Sequence, residues 1–269
     1  MSTNKKRIVI ISIYSAIFLA IVLAVYFVLR PNATCSDGKQ NQNEKGVDCG
    51  GVCTPCEEKS GKDLIIVEKT FVDGGNGTYD FIVKVNNPNN KIGSPSFSYI
   101  VKLLDNSGAV ISEKKGKTYI LPAESRYIAE LGLTLKNGAT PASATFEVTN
   151  VEWKTLTGIS KPSLNIYNKN VQTESAGSSV SAQALLRNES SYDLAKIRII
   201  GVLRDGSGNI IAVNSTEKET VRAGEERDFK FIWPYALKGE AQSFEADALA
   251  DLYDSQNFLN TKYEQQDFR

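Results

Sequence analysis

Histidine is absent from this chain, and methionine occurs once in 269 residues. Without an imidazole there is no Ser-His-Asp or Cys-His nucleophile, no histidine metal ligand, and none of the commonest general base. Carboxylate, lysine and tyrosine chemistry stays open, but no convergent acid–base pair can be read from the sequence, so no enzyme is expected. Surplus charge is absent too: 31 Lys plus Arg balance 31 Asp plus Glu. Nothing is left over to neutralise phosphates, so no nucleic acid is expected as a partner. Proline (8) and glycine (20) are scattered, which excludes a long low-complexity linker. Cysteine is missing from everything beyond Cys56.

One long apolar run is present. Residues 8–29 carry no charge and follow Lys5, Lys6 and Arg7. About 20 such residues match the hydrocarbon thickness of a bilayer. Ser12 and Ser15 are the strongly polar side chains in the run, and a helix absorbs hydroxyls by bonding them to its own carbonyls. A cleaved signal peptide is the alternative. Its apolar core is shorter, and it ends in a small-x-small site that Arg30-Pro31-Asn32 does not offer. The expectation is a single-pass transmembrane helix acting as signal anchor. The basic residues place the tip, 1–7, in the cytoplasm and the remainder outside the cell membrane.

Four cysteines, Cys35, Cys49, Cys53 and Cys56, fall close together. An even count in a short cluster with an outward location favours two disulfides, because so small a segment cannot bury a core. Spacing does not give the pairing. Cys53 and Cys56 are near neighbours, so each is expected to reach back to Cys35 or Cys49. A four-cysteine zinc site usually needs two C-x-x-C pairs, and only Cys53-x-x-Cys56 fits. Between the cysteines, Asp37, Asn41, Glu44 and Asp48 recur every three or four positions among glycines. Oxygen ligands on a tight loop suit calcium, whereas the competing reading is a set of Asx turns; the spacing is not that of an EF-hand.

The string Cys35-x-Asp37-Gly38-x-x-Asn41-x-x-Glu44-x-x-x-Asp48-Cys49-Gly50-Gly51-x-Cys53-x-x-Cys56 resembles a short cysteine module of secreted and surface proteins of bacteria and archaea. The resemblance implies a location outside the cell, often beside β-sandwich modules, and implies no activity.

From residue 63 the pattern is that of strands. Tyr79, Phe81, Val83 and Val85 alternate with polar residues, and Val180, Ala182, Ala184 and Leu186 repeat that alternation. Tyr99 to Ile111 matches Ile199 to Ile211 at an offset of 100 residues, with Asp105-x-Ser-Gly108 and Asp205-x-Ser-Gly208 as hairpin turns. The same offset aligns Leu121 with Val221. It also aligns Ala129, Leu131 and Leu133 with Phe229, Phe231 and Trp233. A repeat of this length is the size of an independent sandwich. The expected fold class is an all-β ectodomain: a cysteine-rich stem at 31–62, β-sandwiches at 63–156 and 163–256, and a polar tail at 257–269. The short linker predicts end-to-end stacking with restricted rotation. Leu186-Arg-Asn188, then Ile197 to Ile210 with Asp205 and Gly208, then Val221-x-Ala223-Gly224-Glu225, resembles the FxLYD and late-embryogenesis-abundant-like group. Asn87, Asp105, Gly108 and Pro122 echo it in the first repeat. That resemblance implies Ig-like sandwiches without catalytic residues.

Trp153 and Trp233 are read as packing residues, and Glu113-Lys114-Lys115 as a solvated charge run. Sequons at Asn32, Asn76, Asn188 and Asn214 are about as many as chance gives. The functional expectation is a membrane-anchored extracytoplasmic interaction or structural protein that presents two sandwiches to a protein or envelope-polymer partner. A calcium- or small-ligand-binding receptor module is the alternative.

Overall fold

A computed structural model describes residues 3–29, 34–53, 61–156, 159–174 and 179–259. The chain divides into two compact units, 1–57 and 58–269.

In the first unit, one helix, α1, runs over Thr3–Leu29. Its side chains from Ile10 to Tyr26 are exposed. Among the described residues, however, no helix is long and apolar enough to cross a membrane. This corrects the expected transmembrane anchor. With it go the single-pass cell-membrane location, the cytoplasmic N-terminus, and the membrane as a partner.

Among its described residues the second unit is β, as the alternation predicts, apart from two single 3-10 turns at Lys136–Gly138 and Ser255–Asn257. Twelve strands form two sandwiches of identical topology. The first holds β1 (Ile65–Gly75), β2 (Thr78–Asn86), β3 (Ile92–Leu104), β4 (Val110–Ile120), β5 (Ser125–Leu133) and β6 (Ser143–Thr155). Its sheets are ordered β1-β2-β5 and β4-β3-β6. The second holds β7 (Leu164–Thr173), β8 (Val180–Asn188), β9 (Asp193–Arg204), β10 (Ile210–Val221), β11 (Glu226–Trp233) and β12 (Ser243–Leu249). Its sheets are β7-β8-β11 and β10-β9-β12, and β13 (Phe258–Leu259) adds a short pairing to β9.

Each sandwich has its own core. Phe81, Val83, Phe97, Tyr99, Val101, Leu103 and Phe146 fill the first. Ala182, Ala184, Leu186, Ile197, Ile199, Phe229, Phe231 and Trp233 fill the second. Trp233 is buried and donates its indole N–H to Val213 O at 2.9 Å, the packing role read from sequence. Equivalent buried asparagines staple the turns. Asn87 Nδ2 donates to Ile92 O and Leu121 O, both at 2.9 Å. Asn188 Nδ2 donates to Tyr192 O and Val221 O. Asn188 is fully buried, so its sequon is closed to a glycan. Asp105 Oδ1 accepts from the backbone N–H groups of Ser107 and Ala109, and Asp205 Oδ1 from those of Ser207 and Asn209. These are matched Asx turns, with Gly108 and Gly208 supplying φ of 83° and 84°.

Two expectations change. The offset of 100 does not hold through the fifth strand of each repeat. Ile128 pairs with Val83, and Phe229 pairs with Ala184. The inward residue matching Phe229 is therefore Ile128, and Ala129 faces outward. One residue is gained at the end of β10, between Lys218 and Val221, where Thr220 takes φ 52°; the turns that follow match, with Ala123 (φ 51°) in the position of Gly224 (φ 75°). A single-residue slip in a strand exchanges its faces.

The second change concerns stacking. The sandwiches pack face to face, not end to end. Val72, Ile82, Tyr127 and Ala129, from the outer face of β1-β2-β5, join Ile200, Val202, Ile210, Val213 and Leu249, from the outer face of β10-β9-β12, in a third apolar cluster. β9 is thus covered on both faces, with Ile197 and Ile199 turned to its own core and Ile200 and Val202 to the neighbouring sandwich. Burial of a side chain of this size contributes about 1.5–3 kcal/mol, so the seam binds the two sandwiches as one body. The free outer face of the β7-β8-β11 sheet presents Gln183 and Arg187 from β8, with Tyr167 and Ile232 exposed beside them.

Candidate functional site

The cysteine module is built inward from its acids. Asp48 accepts N–H groups of Asp37 (2.8 Å) and Gly38 (2.9 and 3.0 Å). Glu44 Oε2 accepts those of Asn41 (3.0 Å) and Asp48 (3.2 Å) and is buried. Asp37 accepts Asn41 Nδ2 at 2.8 Å and Lys39 N at 2.9 Å, and the side-chain bond from Asn41 holds its carboxyl below the usual carboxylate range. Left-handed backbone at Gly38, Asp48, Gly50 and Gly51 permits the folding; a Cβ on Gly51 would sit 2.2 Å from Asn43 O.

Of the four residues expected to hold calcium, Asp37, Glu44 and Asp48 thus turn oxygens to the module's own amides, whereas Asn41 donates its amide to Asp37 and its Oδ1 is buried without a hydrogen-bond partner. Cys35 is bonded to Cys53. Cys49 is also disulfide-bonded, and Cys56 lies outside the described residues. Among the described residues, the grouping of metal-type side chains is Cys35, Glu44 and Cys53. Two of these are joined as a disulfide, which has no thiolate to offer a metal. Glu44 Oε1 lies 3.1 Å from Cys53 Sγ, a contact and not a hydrogen bond, because a disulfide sulfur carries no proton.

A second site lies in the seam. Arg204, at the end of β9, reaches across to the first sandwich. Its guanidinium donates to both oxygens of Glu68 on β1, at 2.9 and 2.8 Å. It also donates to Glu245 Oε1 at 2.8 Å and to Tyr127 Oη at 2.9 Å, and Tyr127 Oη donates to Glu245 Oε2 at 2.9 Å. Hydrogen bonding from Arg204 pulls Glu68 below its ordinary range. Burial pushes Glu245 up, but the bonds from Arg204 and Tyr127 outweigh it and leave it lowered. Burial, with the Glu245 carboxylate alongside, pushes Tyr127 up to about 12. This bidentate clamp fixes the orientation of one sandwich on the other.

Beside the clamp is a cleft of about 310 Å³, lined by residues of β4, β5 and β9. It opens where the edge strands β4 and β5 of the first sandwich meet the face of β9. Lys114, Lys115, Lys117, Arg126 and Arg198 line it, against one carboxylate, Glu130. That carboxylate accepts the Tyr99 hydroxyl at 2.6 Å. Tyr99 reaches it because Gly116 opposite has no side chain; a Cβ there would lie 2.2 Å from the ring. Arg126 is 3 % exposed. It donates Nη1 to Tyr119 O at 2.9 Å, and its guanidinium carbon lies 4.1 Å from the centre of the Tyr119 ring. Its Nε is buried without a hydrogen-bond partner. Sequence reading missed this cleft. Lys114 and Lys115 read as an ordinary solvated run, and Arg126 and Arg198 lie far from them along the chain.

Three carboxyls, the buried Asp80 and the half-buried Asp247 and Asp251, could suggest acid–base chemistry, since desolvation pushes each of them up. Each is already a structural acceptor, from the backbone N–H of Gly132, Tyr127 and Tyr253 respectively.

No family model matches this chain, and no curated protein matches it. Among solved structures it matches a red sea bream transglutaminase, at 10 % identity and a TM-score of 0.20. The match covers 68 % of this chain and 31 % of that one, and at that score it carries no argument about fold or activity.

Proposed function

We propose that this chain is a non-catalytic interaction or structural protein of an oxidising compartment, presenting a double β-sandwich to a protein or envelope-polymer partner. The observation that carries the reading is the seam. Nine apolar side chains and the Arg204 clamp join two sandwiches into one rigid platform, an arrangement suited to holding surfaces in fixed relation for recognition. The Cys35–Cys53 disulfide and a module held by its own acids support the oxidising location. The cleft supplies a concave polar surface at a domain junction, where binding sites concentrate.

The test is affinity retention. The full chain, immobilised with its disulfides intact, is exposed to native envelope extract. A partner should be retained and should be released by excess free chain. Absence of any competable partner overturns the reading. So does a hydrolase activity that disappears on changing one of Asp80, Asp247 or Asp251.

A further inference from the structure

We infer that the cleft between β4, β5 and β9 is an oxyanion-binding site, taking a phosphate or sulfate group borne by the partner. This rests on the interaction reading above and names the chemistry of what is recognised. The first observation is imbalance. Five cationic residues line the cleft against a single carboxylate in a chain whose net charge is zero. Among the described residues, Lys114, Lys117, Arg126 and Arg198 have no ion-pair partner, and Glu130 is engaged by Tyr99. Local concentration of one sign in a concave wall focuses the field and attracts counter-charge.

The second observation is Arg126. A guanidinium that is almost wholly buried, without a carboxylate partner and with an unpartnered Nε, is costly in an apolar fold unless something satisfies it. Arg126 lines the cleft of about 310 Å³ and keeps this donor unpartnered, a need that an acceptor arriving from outside would meet. Arginine's planar fork matches an oxyanion, while lysines serve as point charges around it. Lys114 and Lys117 are exposed at the mouth, and Arg198 approaches from the second sandwich. The site is therefore complete only when the sandwiches are stacked, so the seam that makes the platform rigid also assembles the cleft.

The experiment uses the full chain and two probes, inorganic phosphate and inorganic sulfate, titrated against chloride at constant ionic strength and followed by calorimetry and amide chemical shifts. Saturable binding should appear, with shifts confined to β4, β5 and Arg198. Lys114→Gln with Lys117→Gln, both exposed and remote from the cores, should weaken it about tenfold with the fold unchanged. Arg126→Lys keeps the charge but loses the planar fork and should weaken it further. If Arg126→Lys lowers stability, the lysine pair and Arg198→Gln still decide the matter. No saturable binding of either probe, or binding unaffected by the lysine pair and Arg198→Gln, overturns the inference. The interaction reading fails separately. A partner retained equally by the wild type and the lysine-pair variant leaves that reading standing and removes the oxyanion site. Oxyanion binding without any retained partner does the reverse.

Discussion

Replacing Ile200 by alanine tests whether the two sandwiches behave as one folding unit. Ile200 is 2 % exposed and sits in the apolar seam, on the face of β9 turned away from its own core. Removing three carbons from such a site costs about 3 kcal/mol, combining lost transfer energy with the cavity left behind. Suppose the sandwiches were beads on a string. That loss would then fall on the second sandwich, whose strand carries the residue. With a shared seam the cost falls on both, because neither can open without exposing Val72, Ile82, Val202 and Val213 together. Hydrogen exchange followed by mass spectrometry separates the cases. β2 and β8 are central strands, one in each sandwich. Their amides should exchange through the same opening in the native chain. In Ile200→Ala both should exchange on the order of a hundredfold faster, the ratio that about 3 kcal/mol corresponds to. If β8 accelerates while β2 is unchanged, the single-body account is wrong, and the platform argument goes with it.

Arg204→Gln should cost about 1–2 kcal/mol at neutral pH, since its carboxylate partners are partly solvated. Because Glu68 and Glu245 titrate lower in the fold than when unfolded, their contribution is full above the ordinary carboxylate range. It is lost as pH falls through their folded values, so the gap between variant and native chain in urea titrations should close on acidification. A gap that widens on acidification would contradict the clamp. Ala123→Gly relieves an alanine held at φ 51° and should raise stability by about 0.5–1 kcal/mol in a melting experiment, where a loss would mean the turn is not strained. Gly116→Ala places a methyl against the Tyr99 ring and should destabilise by about 1–3 kcal/mol, read in the same melts; a neutral result would mean the ring can move freely from Glu130.

Local chemistry was legible along the chain. Alternation at Tyr79 to Val85 and Val180 to Leu186 identifies the strands, and Asp105 and Asp205 identify their turns, because these features depend on residues within a few positions of each other. The repeat is legible for the same reason. Its register is not: the extra residue before β11 leaves no compositional mark, yet it moves the inward position from Ala129 to Ile128. In the cysteine module the sequence identified the oxygen-bearing residues without showing where they point. Asx turns and cation loops use the same residue types, and only three dimensions showed Asp37, Glu44 and Asp48 accepting their own amides. The apolar run at 8–29 was plain to read, but its reading as a membrane span did not survive.

Composition and periodicity by themselves determined an all-β body in two repeats, a disulfide-bearing module, and the absence of imidazole chemistry, since each follows from residue type and short-range order. The tertiary structure alone decided that β9 is buried on both faces, that Arg204 meets Glu68 across 136 positions of chain, and that Arg126, Lys114 and Arg198 line one cleft. These are contacts between surfaces that belong to different sandwiches, and no pattern along either strand records which face its partner will cover.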